Sequence, residues 1–357
     1  MKAPVWVLIC NPENRRQHLF SQALFAQYAV QPILVSYDAL LEGASVREVL
    51  ESALKSTTAS HINIKIESPG ESFLVEKRLI QLGVQSFSER LTPQCAANLP
   101  YDKGLFRYLK EWFLGFSDVL HKIELFFTGY AREKEATVHY LNHPEVIMQF
   151  MDKHDCQQIL QNKGANIPEL INHCVDFKQF EVQLRAKKIC QVFVKARFGS
   201  SASGVMALRL KPNSQQLIAR TTLSMGGRRG EPLYNSLKVK TYSNFGDVAY
   251  LYSAIMAEEG YVERWVPKPS LSEGGFDFRV VVIAGQAQHT VARCSKTPMS
   301  NLHLGNLRGD IQQHPQADVI LAAVHQEAER VGKAFPKAHC FGADLNSYDK
   351  CMTSGRS

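Results

Sequence analysis

Residues 192–205 read "VFVKARFGSSASGV". A run rich in β-branched and aromatic residues carries one lysine, Lys195. It then breaks into a loop of small residues: Gly199, Ser200, Ser201, Ala202, Ser203 and Gly204. Glycine and serine let a backbone bend tightly and come close to a ligand. Successive N–H groups in such a bend form a concave anion site, and a lysine at its edge adds a mobile positive charge. The stretch is a candidate phosphate grip. An ordinary hairpin turn, with Lys195 reaching out to water, accounts for the same residues. A Walker-type loop does not: no G-x-x-x-x-G-K-[ST] occurs, and the lysine precedes the loop instead of closing it.

Around this stretch the chain divides by pattern. Residues 5–11, 33–37 and 62–67 read as strands, "VWVLICN", "ILVSY" and "INIKIE", with helical stretches such as 71–83 between and after them. Strands alternating with helices predict a parallel α/β unit. "ESPGE" at 67–71 turns just past a strand end, the edge of a parallel sheet where ligands bind; a plain connecting loop fits equally. The aromatic-rich segment 101–140 reads as helical core. A second unit opens at "LNHPEV", where Asn142 can cap a helix with Pro144 in its first turn, and Asp152 can cap the next helix, ending near Gly164. Then come a helix over 177–187, the strand 190–196, and a strand "YVERWVP" at 261–267. A hairpin at 276–295 turns at Ala284-Gly285, and a helix over 317–334 precedes a last strand, "HCFGADL".

The bulk numbers are those of a globular protein: 357 residues, 45% hydrophobic and 21% charged. The eight cysteines have no C-x-x-C pair and read as reduced thiols of a cytoplasmic protein. The apolar run at the N-terminus is too short for a signal peptide, and no run approaches the ~20 apolar residues of a membrane span. The net charge of +7 suits anionic nucleotides as well as nucleic acid. Because the basic residues are spread out, with "GRRG" at 227–230 the densest group, nucleic acid ranks low.

In chain order, "MDKHDCQQIL", "GANIP", "VFVKARFGSSASGV", "YVERWV", "FDFRVVVIAGQ", "VARCSKTPMSNLHLGN" and "FGADL" resemble the motif series of the ATP-grasp ligases, in particular the RimK-type and glutathione-synthetase-type carboxylate–amine ligases. The resemblance covers about residues 142–345. It implies an α/β and α+β architecture. An N-terminal parallel α/β domain (residues 1–140) would precede a two-lobed ATP-grasp domain (141–357), with a lid lobe over about 178–262 and a C-terminal lobe over about 263–357. It implies ATP and Mg2+ as cofactors, with small-molecule or peptide carboxylates and amines (or thiols) as substrates.

The same resemblance assigns roles. Lys153 and Lys195 would hold ATP phosphates, and Gly199, Ser200, Ser201, Ser203 and Gly204 would form the flap above them. Glu263, Arg264, Trp265 and Val266 would form the hinge strand that reads adenine, although Trp265 fits a packing role as well. Asp277 would face the ribose. Arg279 and Arg293, on the following hairpin, would be catalytic, Asn301 would face the phosphates or the metal, and Asp344 would be the first magnesium ligand. Independently, Arg279 alternates with Val280 and Val282, and a charge on so apolar a strand calls for a phosphate or carboxylate partner; a surface strand arginine is the alternative.

Two departures stand out. Met299 occupies the place where these ligases commonly carry an arginine. The family continues past its FGADL-like strand into a returning strand with Glu-x-Asn; here no glutamate follows Asp344, and Asn346 and Asp349 are the nearby oxygen donors. The expectation is a loose, under-liganded metal site with weak Mg-ATP binding and little turnover. The alternative function is accordingly an impaired nucleotide-binding protein or a truncated product.

Overall fold

The computed structural model describes residues 4–43, 45–86, 90–199 and 202–346. The chain forms two compact units. The first comprises Met1–Tyr101, Lys110–Gln149 and Lys337–His339; the second comprises Asp102–Leu109, Phe150–Pro336 and Cys340–Ser357.

The first unit is built on strands β1 (Val5–Cys10), β2 (Ile33–Ser36), β3 (His61–Ile66) and β4 (Thr137–Tyr140). They form a parallel sheet in the order β2-β1-β3-β4. Val7, Leu8, Ile9 and Cys10 are all fully buried, as expected for a strand covered on both faces. Its helices are α1 (Arg15–Tyr28), α2 (Tyr37–Leu41), α3 (Val46–Leu54), α4 (Phe73–Ser86), α5 (Pro93–Ala97), α6 (Leu109–Glu133) and α7 (Pro144–Met151); Leu109 and the last two residues of α7 fall in the second unit. Asn14 caps α1, and a Ser45–Glu48 capping box starts α3. The "ESPGE" turn is tied to the end of β1, Asn11 Nδ2 donating to the carbonyls of Pro69 (2.9 Å) and Gly70 (3.1 Å).

In the second unit α8 (Lys153–Asn162) and α9 (Phe177–Ala186) lead into strands β5 (Gln191–Lys195), β6 (Val205–Leu210), β7 (Leu217–Met225) and β8 (Leu233–Tyr242). Then follow α10 (Phe245–Ala257) and β9 (Tyr261–Arg264). The strands make an antiparallel sheet, β8-β7-β6-β5-β9. Val192, Val194 and Val262 face the core, where α9 and α10 pack through Phe180 and Tyr252, stacked at 5.0 Å. The period-2 pleat then leaves Phe193, Lys195 and Glu263 on the other face.

A second antiparallel sheet contains β10 (Ser270–Leu271), β11 (Gly274–Ile283), β12 (Gln286–Ser295) and β13 (Leu307–Gly309). After α11 (Ala317–Ala334), β14 (Cys340–Leu345) joins β11. Phe276, Phe278, Val280 and Val282 pack with Val324 and Ala328 of α11. Asp277 and Arg279 therefore point to the opposite face.

Most elements expected from the sequence lie within a residue or two of their positions. The aromatic-rich stretch 101–140 differs from its expected helix at both ends: it closes in strand β4, and the segment 102–108 turns at 103–104 and bridges from Leu105 to Tyr234. Phe106 N–H donates to Leu233 O at 2.8 Å and Asn235 N–H to Gly104 O at 2.7 Å, so the segment pairs along β8 as part of the second unit. Its backbone hydrogen bonds to an open strand edge outweigh the helical tendency of the residues that follow.

Candidate functional site

The loop after β5 is a hairpin: Lys195 pairs with Val205, and Ala196 N–H donates to Gly204 O at 2.8 Å. Gly204 sits at φ +64°, and a Cβ there would lie 2.5 Å from the Phe106 ring and 2.8 Å from Ala196 Cβ. Close packing and left-handed backbone both demand glycine. Thr222 donates to Ala202 O at 2.7 Å, anchoring the far side of the loop. Ser200 and Ser201 lie outside the described residues.

Lys153, at the first position of α8 behind its cap Asp152, turns its ammonium onto this loop. Nζ donates to Ala196 O (3.1 Å), Arg197 O (3.4 Å) and Gly199 O. Burial, reinforced by the nearby Lys195 charge, pushes its pKa down to about 7. Asp152 is doubly hydrogen-bonded by Arg197, at 2.7 and 2.6 Å. Burial acts to raise its pKa, but Arg197 outweighs burial and holds it below the usual carboxylate range.

Lys195 and Glu263 lie diagonally across β5 and β9, since Phe193 pairs with Glu263 and Lys195 with Tyr261. Their side chains form an ion pair in which Glu263 is almost wholly buried. Gln157, one helical turn beyond Lys153, donates from Nε2 to the other carboxylate oxygen of Glu263 at 2.6 Å. Arg264 points outward to Glu169 at 2.7 Å. Trp265 packs against Phe193 at 5.2 Å with the Arg209 guanidinium over its ring.

From Glu263 the chain runs through Val266 to Lys268, where a second charged group begins. Those five steps bound the separation of the two Cα atoms at about 18 Å. Strand register builds this group: Asp277 is opposite Arg293, and Arg279 is opposite Asp344. Arg279 grips Asp344 with two hydrogen bonds, at 2.5 and 2.9 Å. Gly342, two residues before Asp344, leaves the room: a Cβ there would approach the Arg279 guanidinium to 2.8 Å. Arg293 bridges Asp277 (2.8 Å) and Asp344 (3.0 Å).

Asp277 also takes Lys268 at 2.9 Å and the hydroxyl of Ser300. Burial acts to raise the Asp277 pKa, but Lys268 and Arg293 together hold it low. Asn301 begins a short 3-10 turn, and its carbonyl accepts from Asn306 Nδ2 at 3.0 Å.

Lys153, Lys195, Glu263 and the glycine loop thus gather at one end of the segment from Glu263 to Lys268, and Asp277, Arg279, Arg293 and Asp344 at the other. The sequence reading missed Gln157, Arg197, Lys268 and Ser300. Only Lys268 carried a local signal, a lysine held between two prolines in "VPKPS". The lysines and the loop fit an anionic ligand, as ammonium groups and a loop lined by small residues meet in one place. The surroundings of Asp344 do not by themselves fit a divalent cation: both its oxygens are taken by guanidinium groups, and no cluster of three metal-ligating side chains occurs among the described residues.

No protein-family model and no curated protein matches the chain. Solved structures resemble it along most of its length at low identity. They include the ATP-grasp ligase PsnB complexed with a minimal precursor (13% identity, TM-score 0.47, 96% of this chain and 86% of that one). D-cycloserine synthetase DcsG matches with 10% identity and TM-score 0.47, over 95% and 86%. The macrocyclase MdnB from Microcystis aeruginosa MRC matches with 11% identity and TM-score 0.43, over 96% and 87%.

Proposed function

We propose that this chain is an ATP-grasp protein whose second unit binds ATP and joins a carboxylate to an amine. The observation that carries the reading is the meeting of Lys153, Lys195 and Glu263 with the Gly199–Gly204 loop, at one end of a hinge segment whose other end presents Arg279 and Arg293. ATP supplies the phosphoryl group that activates the carboxylate. In that reaction a carboxylate oxygen displaces ADP from the γ-phosphorus. The amine nitrogen then attacks the acyl carbon, phosphate departs with the C–O bond, and the nitrogen loses a proton.

The residues of the chain position and neutralise charge, which is most of what phosphoryl transfer requires. Lys153 turns from its internal carbonyl acceptors to phosphate oxygens, and Lys195, with three N–H donors, reaches a phosphate while it keeps its pair with Glu263. Gly199, Ser203 and Gly204 let the loop backbone come close. Glu263, Arg264, Trp265 and Val266 form the adenine-side hinge, and Asp277 lies on the ribose side of the site.

Arg279 and Arg293 already hold one carboxylate, that of Asp344. Its two oxygens stand in for those of a substrate carboxylate or a transferred phosphoryl group, for which guanidinium is well shaped. Asp344 and Asn301 are the oxygen donors that the resemblance implies for magnesium, but the surroundings of Asp344 do not fit that ion. Since Asp344 is committed to arginine, no step is routed through the metal. Substrates are proposed to be small-molecule or peptide acids and amines; no described helix is long and apolar enough to cross a membrane.

A second reading, nucleotide binding without turnover, is favoured by that same commitment of Asp344. A screen of ADP and phosphate release over candidate acids and amines separates the two. Release that depends on both an acid and an amine supports the ligase; nucleotide binding without release under any pairing supports the second reading.

A further inference from the structure

Gln157 presents an unusual problem. Its Nε2 donates to Glu263, while its Oε1 is enclosed and has no hydrogen-bond partner among the described residues. Turning the amide over would not help. Glu263 faces the Lys195 ammonium and, as a carboxylate, only accepts. A flipped amide would set oxygen against oxygen and leave the NH2 group without its acceptor. The Lys195–Glu263 pair therefore fixes which way Gln157 points. Buried polar atoms nearly always have partners, and an exception calls for an explanation.

We propose that Gln157 reads the nucleobase: its fixed Oε1 accepts a hydrogen bond from the exocyclic amine of adenine, and so selects ATP against purines with oxygen at that position. This rests on the nucleotide reading given above and goes beyond it by naming the selecting residue. Gln157 follows Lys153 by four positions, so both project from one face of α8. One is then directed at the phosphates, the other at the hinge strand beside Glu263. Glu263 itself is filled by Lys195 and Gln157, so the acceptor left for a base is Oε1. An oxygen at C6 would meet it with acceptor against acceptor, whereas an amine supplies the missing donor. A site built to make a hydrogen bond discriminates strongly against the analogue that cannot.

The test is calorimetric titration of the full chain with ATP, inosine triphosphate (oxygen at C6) and purine riboside triphosphate (hydrogen at C6). Wild type should bind ATP about tenfold more tightly than either analogue, the worth of one such hydrogen bond. Gln157→Met, close in shape and without the amide, should lower ATP affinity about tenfold, leave the analogues nearly unchanged and so abolish the preference. A melting temperature checks that the variant folds, and the comparison of ligands on wild type needs no variant. Equal binding of all three by wild type, or a preference that survives Gln157→Met, overturns the proposal while leaving ATP binding intact. A uniform loss for all three ligands would make Gln157 only a brace for Glu263, which also overturns it. Failure of the folded wild type to bind any triphosphate would bring down the nucleotide reading as well.

Discussion

Lys153 offers a prediction with a computable magnitude. Burial pushes its pKa down to about 7, from an ordinary 10.5. A phosphate oxygen would favour the charged form and raise the value in the complex. Below pH 7 the lysine is charged before and after binding, and affinity is insensitive to pH on its account. Above pH 7 the free protein has lost the proton and must regain it to bind. Affinity should then fall, reaching about tenfold per pH unit, since one unit corresponds to 1.36 kcal/mol. For a pKa of about 7 the loss between pH 6 and pH 8 is about tenfold. Lys153→Arg keeps its charge throughout this range and should lose this component, so the ratio of the two profiles cancels the titration of the nucleotide itself. Calorimetry at pH 8 in two buffers of different ionisation enthalpy should also reveal proton uptake in wild type. Parallel pH profiles for the two proteins would refute the reasoning. Stability runs the other way. The unfolded chain keeps the proton up to about pH 10.5 and the folded chain only to about 7. Between these values the unfolded state binds more protons, and stability rises with pH.

Lys195→Ala should weaken ATP binding about tenfold to hundredfold by titration, with Lys195→Arg recovering part of the loss, because a charge-assisted phosphate contact is worth ~1.5–3 kcal/mol; equal affinity for wild type and Lys195→Ala would return Lys195 to a role as partner of Glu263 alone. Asp277→Ala strips the counter-ion from buried Arg293 and from Lys268, and should cost about 3–5 kcal/mol in urea unfolding; a loss under 1 kcal/mol would mean that Asp344 suffices for Arg293. Gly204→Ala should cost about 1–3 kcal/mol through its contact with Phe106 and its left-handed backbone, and a Phe106→Leu background should return part of that if the ring is the obstacle.

The strands and helices of the second unit were legible because their signals are local. Asp152 accepts from Asp155 N–H at 3.1 Å as an N-cap should, and Val192, Val194 and Lys195 alternate as a half-buried strand should. What sequence could not supply was the partner of each charge. Arg279 on an apolar strand called for an anion, but nothing local identifies Asp344, which lies 65 residues away. The register of β14 against β11 makes that pair, and register depends on the whole sheet. The same holds for Phe106, which read as part of a helix. Its place beneath Gly204 depends on an open edge of β8, a feature of the sheet and not of its own neighbours. Gln157 was illegible for a simpler reason: a polar residue in an amphipathic helix looks the same whether it faces water or a buried carboxylate.

These pairings also decide what the basic composition means. The net charge of +7 suggested an electropositive site. Yet each cation proposed for the ligand is already occupied: Lys153 by three carbonyls, Lys195 by Glu263, Arg279 by Asp344, and Arg293 by Asp277 and Asp344. The internal acids nearly balance the site, and the excess charge lies elsewhere on the chain. Binding of an anion is then an exchange of partners. Its net free energy is the difference between phosphate and carbonyl or carboxylate contacts, far below the gross attraction. Such exchange has a structural consequence. On the proposed reading, the carbonyls that Lys153 must leave are those of Ala196, Arg197 and Gly199, so the lysine that gains a phosphate takes hydrogen bonds away from the backbone that leads out of β5.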